Sequence, residues 1–364
     1  MEYILILVWI GFMALVARYT QSPNTVLVEG IEVKRYSWLF AVIAFVPIIW
    51  LAGQRSLAFG DSYNYMMRFR DAPGDFSSIW SYTASAQKDN GFAFLTVLIR
   101  IIFGNDYHVC FTVLAAIQGL CVLSVFRKYS VEYVLSLFLF VASADYTWMF
   151  NGIRQFTAVC LIFAATALMI KRKYIPFIIV ILLASTLHQS ALIMLPFFLI
   201  AYGEAWNKRT LIFIFFVLLS VVFIGQFTTL LDASLEGTQY SKTVSFFNTA
   251  DGKGTNPLRV VFCSLPAVFS FVERKKIKEY QSVLINVCVN MSIICAGIYV
   301  ISMFTSGILI GRLPIYAELY NFLLIPWMIK NVVSQKNKKP FIIIIVIVYL
   351  LYYTYQMHFA WSVF

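Results

Sequence analysis

The sequence predicts an all-α, polytopic integral membrane protein with about 11–13 transmembrane or re-entrant helices. Of its 364 residues, 61% are hydrophobic and only 12% are charged. The mean hydropathy is +0.80, and apolar runs recur from one terminus to the other. Because these runs leave no stretch of useful length for a soluble domain, we expect residues 1–364 to form a single transmembrane domain.

A spanning helix needs roughly 20 predominantly apolar residues. Candidate helices lie at residues 3–18, 36–53, 106–126, 131–149, 152–170, 210–231, 258–272, 280–304, 308–329 and 340–358. The first run follows Glu2 and shows no small-residue cleavage site, so we interpret it as a retained helix rather than a signal peptide. The run 174–201 separates two basic clusters, and a break near Ser185–His188 would return the chain to the side it came from.

The net charge of +11 is concentrated in short clusters beside the ends of apolar runs. These clusters are Arg127–Lys128, Lys171–Lys173, Arg274–Lys278 and Lys336–Lys339. This arrangement is typical of cytoplasmic turns between membrane helices, so the sequence does not favour binding of nucleic acid.

Two segments with balanced charge are expected on the outer face. The first, residues 54–104, contains an amphipathic stretch and a short apolar segment at 91–104, which carries Arg100 and is predicted to be re-entrant or interfacial. The second is the loop 232–257. A competing topology places the N-terminus and residues 54–89 in the cytoplasm.

The sequence lacks the motifs of several common enzyme classes. It has no Walker A loop, no G-x-G-x-x-G turn, no C-x-x-C and no H-E-x-x-H. Its six cysteines lie in apolar segments without metal-ligand spacing. We therefore expect neither a metal nor another cofactor.

Polar residues within or beside apolar runs are the candidate functional residues, because they are costly in lipid unless they face a cavity or a partner. In QRSLAFGDSYNY, Arg55 follows a helix, Asp61 follows a turn, and Tyr63 begins an amphipathic stretch. An interfacial aromatic belt with a snorkelling arginine is the alternative interpretation.

The motif NGIRQ, with Asn151, Arg154 and Gln155, is predicted to open the next helix, on which Asn151 and Arg154, three residues apart, would share a face. Free N–H groups at a helix start, together with an arginine, suit a bound diphosphate. The alternative is an ion pair between Arg154 and Asp145 that caps the helix.

The stretch STLHQSA places His188 and Gln189 at the predicted helix break. A histidine near its ordinary pKa can accept a proton from a hydroxyl group. A packing role is the alternative interpretation of this side chain.

In SGILIGRLPIYAELY, Arg312 lies in an apolar run with Tyr316 and Glu318 close behind. An arginine in this setting needs either an anionic ligand or an internal partner such as Glu318.

In chain order, these motifs resemble those of the EpsG-type membrane proteins, which are grouped with the Wzy-type polysaccharide polymerases. The shared elements are R-x5-D-x-Y at Arg55, Asp61 and Tyr63; N-G-F-x-F at Asn90 to Phe94; N-x-x-R-Q at Asn151 to Gln155; H-Q-S-A at His188 to Ala191; and G-R-x-x-x-Y at Gly311 to Tyr316. The chain has Asn90 at a position that is commonly acidic in the family.

The resemblance implies a GT-C-like, multi-spanning glycosyltransferase in the bacterial cytoplasmic membrane. It would join lipid-linked repeats on undecaprenyl diphosphate at the outer face, working beside a flippase and a chain-length-regulating protein. Arg154, Arg312 and then Arg55 would hold the diphosphate, while His188, or Asp61 as its rival, would act as the base.

Several further side chains would contact the substrate in that interpretation. They are Tyr63, Asn151, Gln155, Gln189 and Tyr316, with Tyr65, Trp80 and Trp148 as additional sugar platforms. A polysaccharide ligase of related fold and a transporter or flippase of lipid-linked glycans stay open as alternatives.

Overall fold

The computed structural model describes residues 2–20, 23–235 and 254–363. Within these ranges the chain is mainly helical, with one two-stranded sheet. The helices up to residue 187 are α1 (Glu2–Thr20), α2 (Trp38–Gln54), α3 (Ser62–Asp71), α4 (Ile79–Ser85), α5 (Asn90–Phe103), α6 (Tyr107–Tyr129), α7 (Tyr133–Ala142), α8 (Ile153–Ala164), α9 (Thr166–Ile170) and α10 (Tyr174–Leu187). The later helices are α11 (Met194–Ala201), α12 (Lys208–Val222), α13 (Ile224–Leu235), α14 (Pro257–Val272), α15 (Arg274–Glu279), α16 (Val283–Met303), α17 (Ile315–Glu318), α18 (Asn321–Asn331) and α19 (Lys338–Tyr355).

The sheet is an antiparallel hairpin of β1 (Asn24–Val28) and β2 (Ile31–Arg35), which the sequence analysis did not anticipate. Glu29 and Gly30 form its two-residue turn, both with positive φ, at 50° and 78°. Turns with positive φ at both central residues match the right-handed twist of paired strands. Local turn chemistry therefore creates this hairpin between two membrane helices.

The all-α, polytopic fold class is confirmed. Among the described residues, four helices are long and apolar enough to span a membrane, and α12 with α13 forms a further pair bent by 101°. Seven shorter apolar helices accompany them. These twelve segments fall within the predicted range, although many are shorter than a full span.

The chain divides into two compact units, each described by itself below. The first unit contains residues 1–192 and 326–364, and the second contains residues 193–325.

In the first unit, α2 and α6 run antiparallel. His108 Nδ1 lies 3.2 Å from the Gly53 carbonyl at one end of the pair. At the other end, Arg127 Nε donates to the Tyr36 carbonyl at 2.8 Å. We call these the polar end and the basic end of the first unit, since the second holds the Arg127–Lys128 cluster.

The segments predicted at 131–149 and 152–170 are each interrupted. In the first segment, α7 ends at Ala142 and a 3₁₀ turn at Asp145–Met149 follows. The second segment is divided at Ala165 into α8, which begins at Ile153, and α9. Gln118 Nε2, in the middle of α6, donates to the Ile153 carbonyl at 3.2 Å. The start of α8 therefore lies about 16 Å along α6 from Tyr107, at a rise of about 1.5 Å per residue.

Helices α3, α4 and α5 fill the segment between α2 and α6. Arg100 Nη1 donates to the carbonyls of Phe69 and Arg70, at 2.6 and 2.8 Å, and so caps the C-terminus of α3. α5 begins against Thr186, at the end of α10 opposite the basic cluster Lys171–Lys173, and it ends three residues before α6 begins at the polar end. Both of its ends therefore lie away from the basic end of the first unit. That geometry suits a re-entrant or interfacial segment; its placement in a membrane stays a prediction.

The helix break predicted near residues 185–188 is confirmed. α10 ends at Leu187, and His188 adopts an extended backbone with φ −158° and ψ 119°. A 3₁₀ turn at Gln189–Ile193 follows. The break takes the Gln189 N–H out of the helical hydrogen-bond pattern, so that it can donate to a side chain from another segment.

The second unit is built around the largely buried helix α16. Thr255 N–H donates to the Ser302 carbonyl at 3.0 Å, at the opposite end of α14 and α16 from the basic cluster Arg274–Lys278. The predicted helix 308–329 is instead divided into a 3₁₀ turn at Ile310–Arg312, then α17 and α18. Residues 236–253 of the predicted outer loop 232–257 lie outside the described residues.

Candidate functional site

In the first unit, the turn that carries Asp61 packs against the motif that carries Asn151. Asp61 N–H donates to Asn151 Oδ1 at 3.2 Å. Gly60 has φ +52°, and a Cβ there would lie 2.9 Å from the Asn151 side chain. Glycine is therefore needed at this position both for its backbone conformation and for the close approach.

The structure corrects one detail of the NGIRQ prediction. Asn151 precedes the helix, which begins at Ile153 with Gly152 as its N-cap. Asn151 and Arg154 therefore do not share a helix face. Asn151 contacts the Asp61 turn, whereas Arg154 lies in the first turn of α8.

Arg154 forms an ion pair with Asp89, a residue that the sequence analysis did not select. Arg154 Nη1 donates to Asp89 Oδ2, and the side chains are 17% and 2% exposed. The predicted alternative, an ion pair of Arg154 with Asp145, is not what the structure shows. Asp89 Oδ1 also accepts the Gln189 N–H at 3.3 Å, so one carboxylate joins the start of α8 to the break after α10.

The position of Asp89 depends on local backbone geometry. Asp89 has φ +55° and caps the N-terminus of α5, directly before Asn90. A Cβ at Gly91 would lie 2.1 Å from Thr186 Oγ1, so α5 can start against the end of α10 only because this residue is glycine. Burial raises the pKa of Asp89, and the positive charge of Arg154 opposes that shift.

His188 directly follows α10, where the end of that helix meets the start of α5. Its Nδ1 is 2.7 Å from Ser190 Oγ, and this contact orients the imidazole ring. Which ring nitrogen carries the proton depends on the groups around the ring. The next residue in the chain, Gln189, donates its backbone N–H to Asp89. His188 is therefore adjacent in sequence to a residue that contacts the Asp89–Arg154 ion pair.

Arg55 is a buried cation, with 2% of its surface exposed. Its Nε donates to Ser62 Oγ at 2.8 Å, and one Nη donates to the Ala52 carbonyl. The guanidinium lies over the Phe111 ring, 3.7 Å from the centroid. Burial lowers the pKa of Arg55 to about 10, so it is still charged at neutral pH.

Arg55 lacks an acidic partner among the described residues, and its Nη2 is a buried donor without a hydrogen-bond partner there. Its guanidinium also lies 5.9 Å from the Phe150 ring, next to Asn151. A buried, charged guanidinium with an unused donor suits an anionic ligand, because it has already left water.

The predicted substrate-contacting residues of the first unit occupy different environments. Tyr63 is 55% exposed on α3, whereas Gln155 is buried in α8 at 4%. Of the sugar platforms, Trp80 is 72% exposed and Tyr65 packs against Phe92 with ring centroids 6.3 Å apart. Their roles in substrate binding stay predictions.

In the second unit, buried Glu318 is contacted by two buried side chains and one partly exposed arginine. Tyr299 Oη donates to it at 2.8 Å and Cys263 Sγ at 3.1 Å, while Arg259 Nη2 lies 4.0 Å away. Arg259 Nε also donates to Tyr299 Oη at 3.1 Å. Arg259 and Tyr299 therefore supply the internal partners of this carboxylate, and the sequence analysis missed both.

Arg312 is half-buried at the end of the short 3₁₀ turn before α17. A Cβ on Gly311 would lie 2.5 Å from Thr255 Oγ1, so the Arg312 turn lies against the start of the α14 segment. Tyr316 is buried at 3%. In this unit too, the polar residues lie towards the end of α14 and α16 that is opposite the basic cluster Arg274–Lys278.

Two of the missed residues had recognisable sequence signals. Asp89 directly precedes the N-G-F-x-F motif, and Arg259 follows the helix start Asn256–Pro257 much as Arg154 follows Asn151–Gly152. Tyr299 carried no such signal, since a tyrosine in an apolar run is usually a packing residue.

A family model described as the EpsG family matches residues 38–362, nearly the whole chain. No curated protein and no solved structure matches the chain significantly.

Proposed function

Since the chain belongs to the EpsG family of Wzy-like polysaccharide polymerases, we propose that it is a glycosyltransferase that polymerises oligosaccharide repeats linked to undecaprenyl diphosphate. The growing glycan moves from its lipid diphosphate onto the non-reducing-end hydroxyl of an incoming lipid-linked repeat. Each transfer lengthens the polymer by one repeat.

One observation carries this proposal: motif segments 65 to 100 residues apart in sequence contact one another in the first unit. The segments of Arg55, Asp89, Arg154 and His188 are joined by the contacts of Asn151 with Asp61 and of Asp89 with Gln189. Two cations, a carboxylate and an imidazole are thereby gathered in one region, a composition suited to a diphosphate leaving group and a hydroxyl nucleophile.

The cations stabilise the leaving group. As the bond between the anomeric carbon and the diphosphate oxygen breaks, negative charge grows on the diphosphate. Arg55, which has an unused buried donor, and Arg154, at the start of α8, are placed to bind it. Each charge-assisted hydrogen bond contributes about 1.5–3 kcal/mol. The N–H groups of the first turn of α8 add to this effect.

The base activates the acceptor. The acceptor hydroxyl oxygen attacks the anomeric carbon, and its proton passes to His188 Nε2, the ring nitrogen that does not contact Ser190. Asp61 is the second candidate, since its backbone is held beside Asn151. Arg312 and Tyr316 belong to the second unit, and their roles in holding the diphosphate and binding substrate stay predictions.

The distribution of charge supports a reaction at the outer face of the cytoplasmic membrane. In each unit, the basic clusters lie at one end of the helices. Arg55 and the Arg312 turn lie at the opposite end of their own units, and Arg154 lies about midway along α6. Basic turns face the cytoplasm in most multi-spanning proteins, so the candidate residues are expected to face outward. This is also the topology with residues 18–35 inside and residues 54–89 outside.

A reconstituted assay tests the proposal. The purified protein in nanodiscs is incubated with an undecaprenyl-diphosphate-linked repeat, without nucleotide sugar or ATP, and the products are separated on a gel. The expected result is a ladder spaced by one repeat, abolished by Arg154→Ala. The matched control is Arg70→Ala, because Arg70 is an exposed arginine in the same part of the unit.

The same assay separates the alternatives. If the wild-type protein gives no ladder but transfers the glycan to a different acceptor, it is a ligase. If no bond forms and the intact lipid crosses a bilayer, it is a transporter. If Arg154→Ala makes a normal ladder, the assignment of Arg154 to the diphosphate is wrong.

A further inference from the structure

A lipid-sized groove opens on the first unit, away from the candidate site. Its volume is about 870 Å³, within the usual range of ligand pockets. It is bounded by α1, α7 and α19, with residues of the β-hairpin at one end. Along α1 its lining extends from Leu7 to Arg18, about 16 Å at 1.5 Å per residue. That length is about half of the 30 Å hydrocarbon core, or one leaflet.

The lining changes from apolar to charged along the groove. Leu7, Ile10, Phe138 and Leu350 are among the apolar side chains that line its length. Its charged lining residues, Arg18, Lys34 and Glu132, all belong to the basic end. The groove is therefore apolar along its length and charged at the basic end, which is the end predicted to face the cytoplasm. A phospholipid of the cytoplasmic leaflet has its acyl chains and headgroup in the same arrangement.

The charged end carries a net positive charge. Lys34 Nζ binds Glu132 Oε1 at 2.5 Å, and these side chains are 45% and 35% exposed. Among the described residues, no carboxylate forms an ion pair with Arg18, whose guanidinium lies 5.5 Å from the Tyr19 ring. Two cations against one carboxylate leave one net positive charge, which complements an anionic headgroup.

The floor of the groove includes a glycine. A Cβ at Gly11, midway along α1, would meet nothing within 4 Å. The helix backbone is thus open to an acyl chain at this point, and a larger side chain there would occupy the groove without displacing protein atoms.

We propose that this groove binds an anionic phospholipid of the cytoplasmic leaflet, with its acyl chains along α1, α7 and α19 and its phosphate at Arg18 and Lys34. The site is separate from the proposed glycosyl transfer and does not depend on it. A bound lipid would fill the space between three helices that otherwise leave a cavity, and so stabilise the first unit.

Native mass spectrometry of the detergent-purified protein tests the site. Phosphatidylglycerol and phosphatidylcholine with the same acyl chains are titrated separately, and the bound fraction is measured. We expect phosphatidylglycerol to bind more tightly. Gly11→Leu should remove most of this binding, and Arg18→Gln should weaken it about fivefold, the effect of one basic residue near an anionic headgroup.

Two control variants make the same chemical changes elsewhere. Gly225→Leu fills another open helix position, in α13, and Lys128→Gln removes an exposed charge at the basic end outside the groove. Both should bind phosphatidylglycerol as the wild type does.

Three outcomes would overturn the proposal. The two lipids could bind equally, or the groove variants could bind phosphatidylglycerol like their controls. Undecaprenyl phosphate is titrated in the same way, and the third outcome is that Gly11→Leu removes its binding and leaves that of phosphatidylglycerol unchanged. The last outcome would assign the groove to the polyprenyl carrier. Because none of these measurements involves glycosyl transfer, their result is independent of the polymerase assay.

Discussion

The ion pair between Asp89 and Arg154 should be one of the strongest pairwise polar contacts of the first unit. Exposed ion pairs typically contribute about 0–1 kcal/mol, whereas hydrogen bonds to charged, buried groups contribute about 1.5–3 kcal/mol. With side chains 2% and 17% exposed, this pair belongs nearer the second class. We expect a coupling free energy of about 2 kcal/mol, or roughly a 30-fold change in the folding equilibrium constant.

A double-mutant cycle measures this coupling. The free energy of unfolding is determined in mixed SDS micelles for the wild type, Asp89→Asn, Arg154→Gln and the double variant. Removing one partner leaves the other charge buried and unpaired, so each single change should cost about 3 kcal/mol. The double variant should cost about 2 kcal/mol less than the sum of the two.

The same variants predict a pH dependence with a definite sign. Burial raises the pKa of Asp89 above that of an exposed aspartate, so the ionised carboxylate lowers the free energy of unfolding. As the pH falls through the raised pKa, the carboxylate takes up a proton and the folded protein regains this stability. Arg154 offsets only part of this loss of stability in the wild type, because burial outweighs its charge and the pKa of Asp89 is still raised. Arg154→Gln should therefore regain stability between neutral and mildly acid pH, whereas the double variant, without the carboxylate, should not.

The matched control is the more exposed pair of Lys34 with Glu132, studied by the same cycle. Its coupling should stay below about 1 kcal/mol. A coupling for Asp89 with Arg154 no larger than that of the control, or a pH-independent Arg154→Gln variant, would refute the argument from burial.

Three further changes have expected outcomes. Gly60→Ala should lower the free energy of unfolding by at least about 1–2 kcal/mol, because φ is +52° and the new Cβ would approach the asparagine side chain of the NGIRQ motif. His188→Ala should slow glycosyl transfer at least about 100-fold and remove the dependence of the rate on histidine ionisation. Tyr299→Phe should lower the free energy of unfolding by about 1–3 kcal/mol, because buried Glu318 loses a hydrogen bond.

Each of these three predictions has a control or a result that would contradict it. Gly30→Ala also places an alanine at a positive φ, 78°, but its Cβ meets nothing within 4 Å, so it measures the backbone penalty without the contact. An equal loss in Gly60→Ala and Gly30→Ala would show that the contact at Gly60 is not restrictive. An unchanged rate in His188→Ala would transfer the role of base to Asp61, and an unchanged stability in Tyr299→Phe would contradict its place in the Glu318 cluster.

Much of the architecture could be predicted from the sequence because membrane insertion acts on local composition. Apolar runs and basic clusters determine which segments form helices and which ends are basic, and neither needs a distant contact. The break at His188 could be predicted for the same reason, since two basic clusters flank one apolar run. The shortness of α7 and α8 could not, because an apolar run does not reveal where neighbouring helices interrupt it.

The candidate site, too, could be predicted from the sequence only in part. Residue type alone selected Arg55, Arg154 and His188, because charged and titratable groups are rare in lipid and need a reason to be there. It could not select the partner of Arg154. Asp145 lies nine residues away and looked suitable, yet Asp89, from a segment 65 residues earlier, forms the pair.

By itself, then, the sequence determined the fold class, the basic ends and the polar residues that require partners. Only the tertiary structure decided which partners they have. Contacts such as Gly60 with Asn151 and Gly91 with Thr186 depend on two backbones approaching closely, and this approach depends on the packing of whole helices rather than on any local pattern.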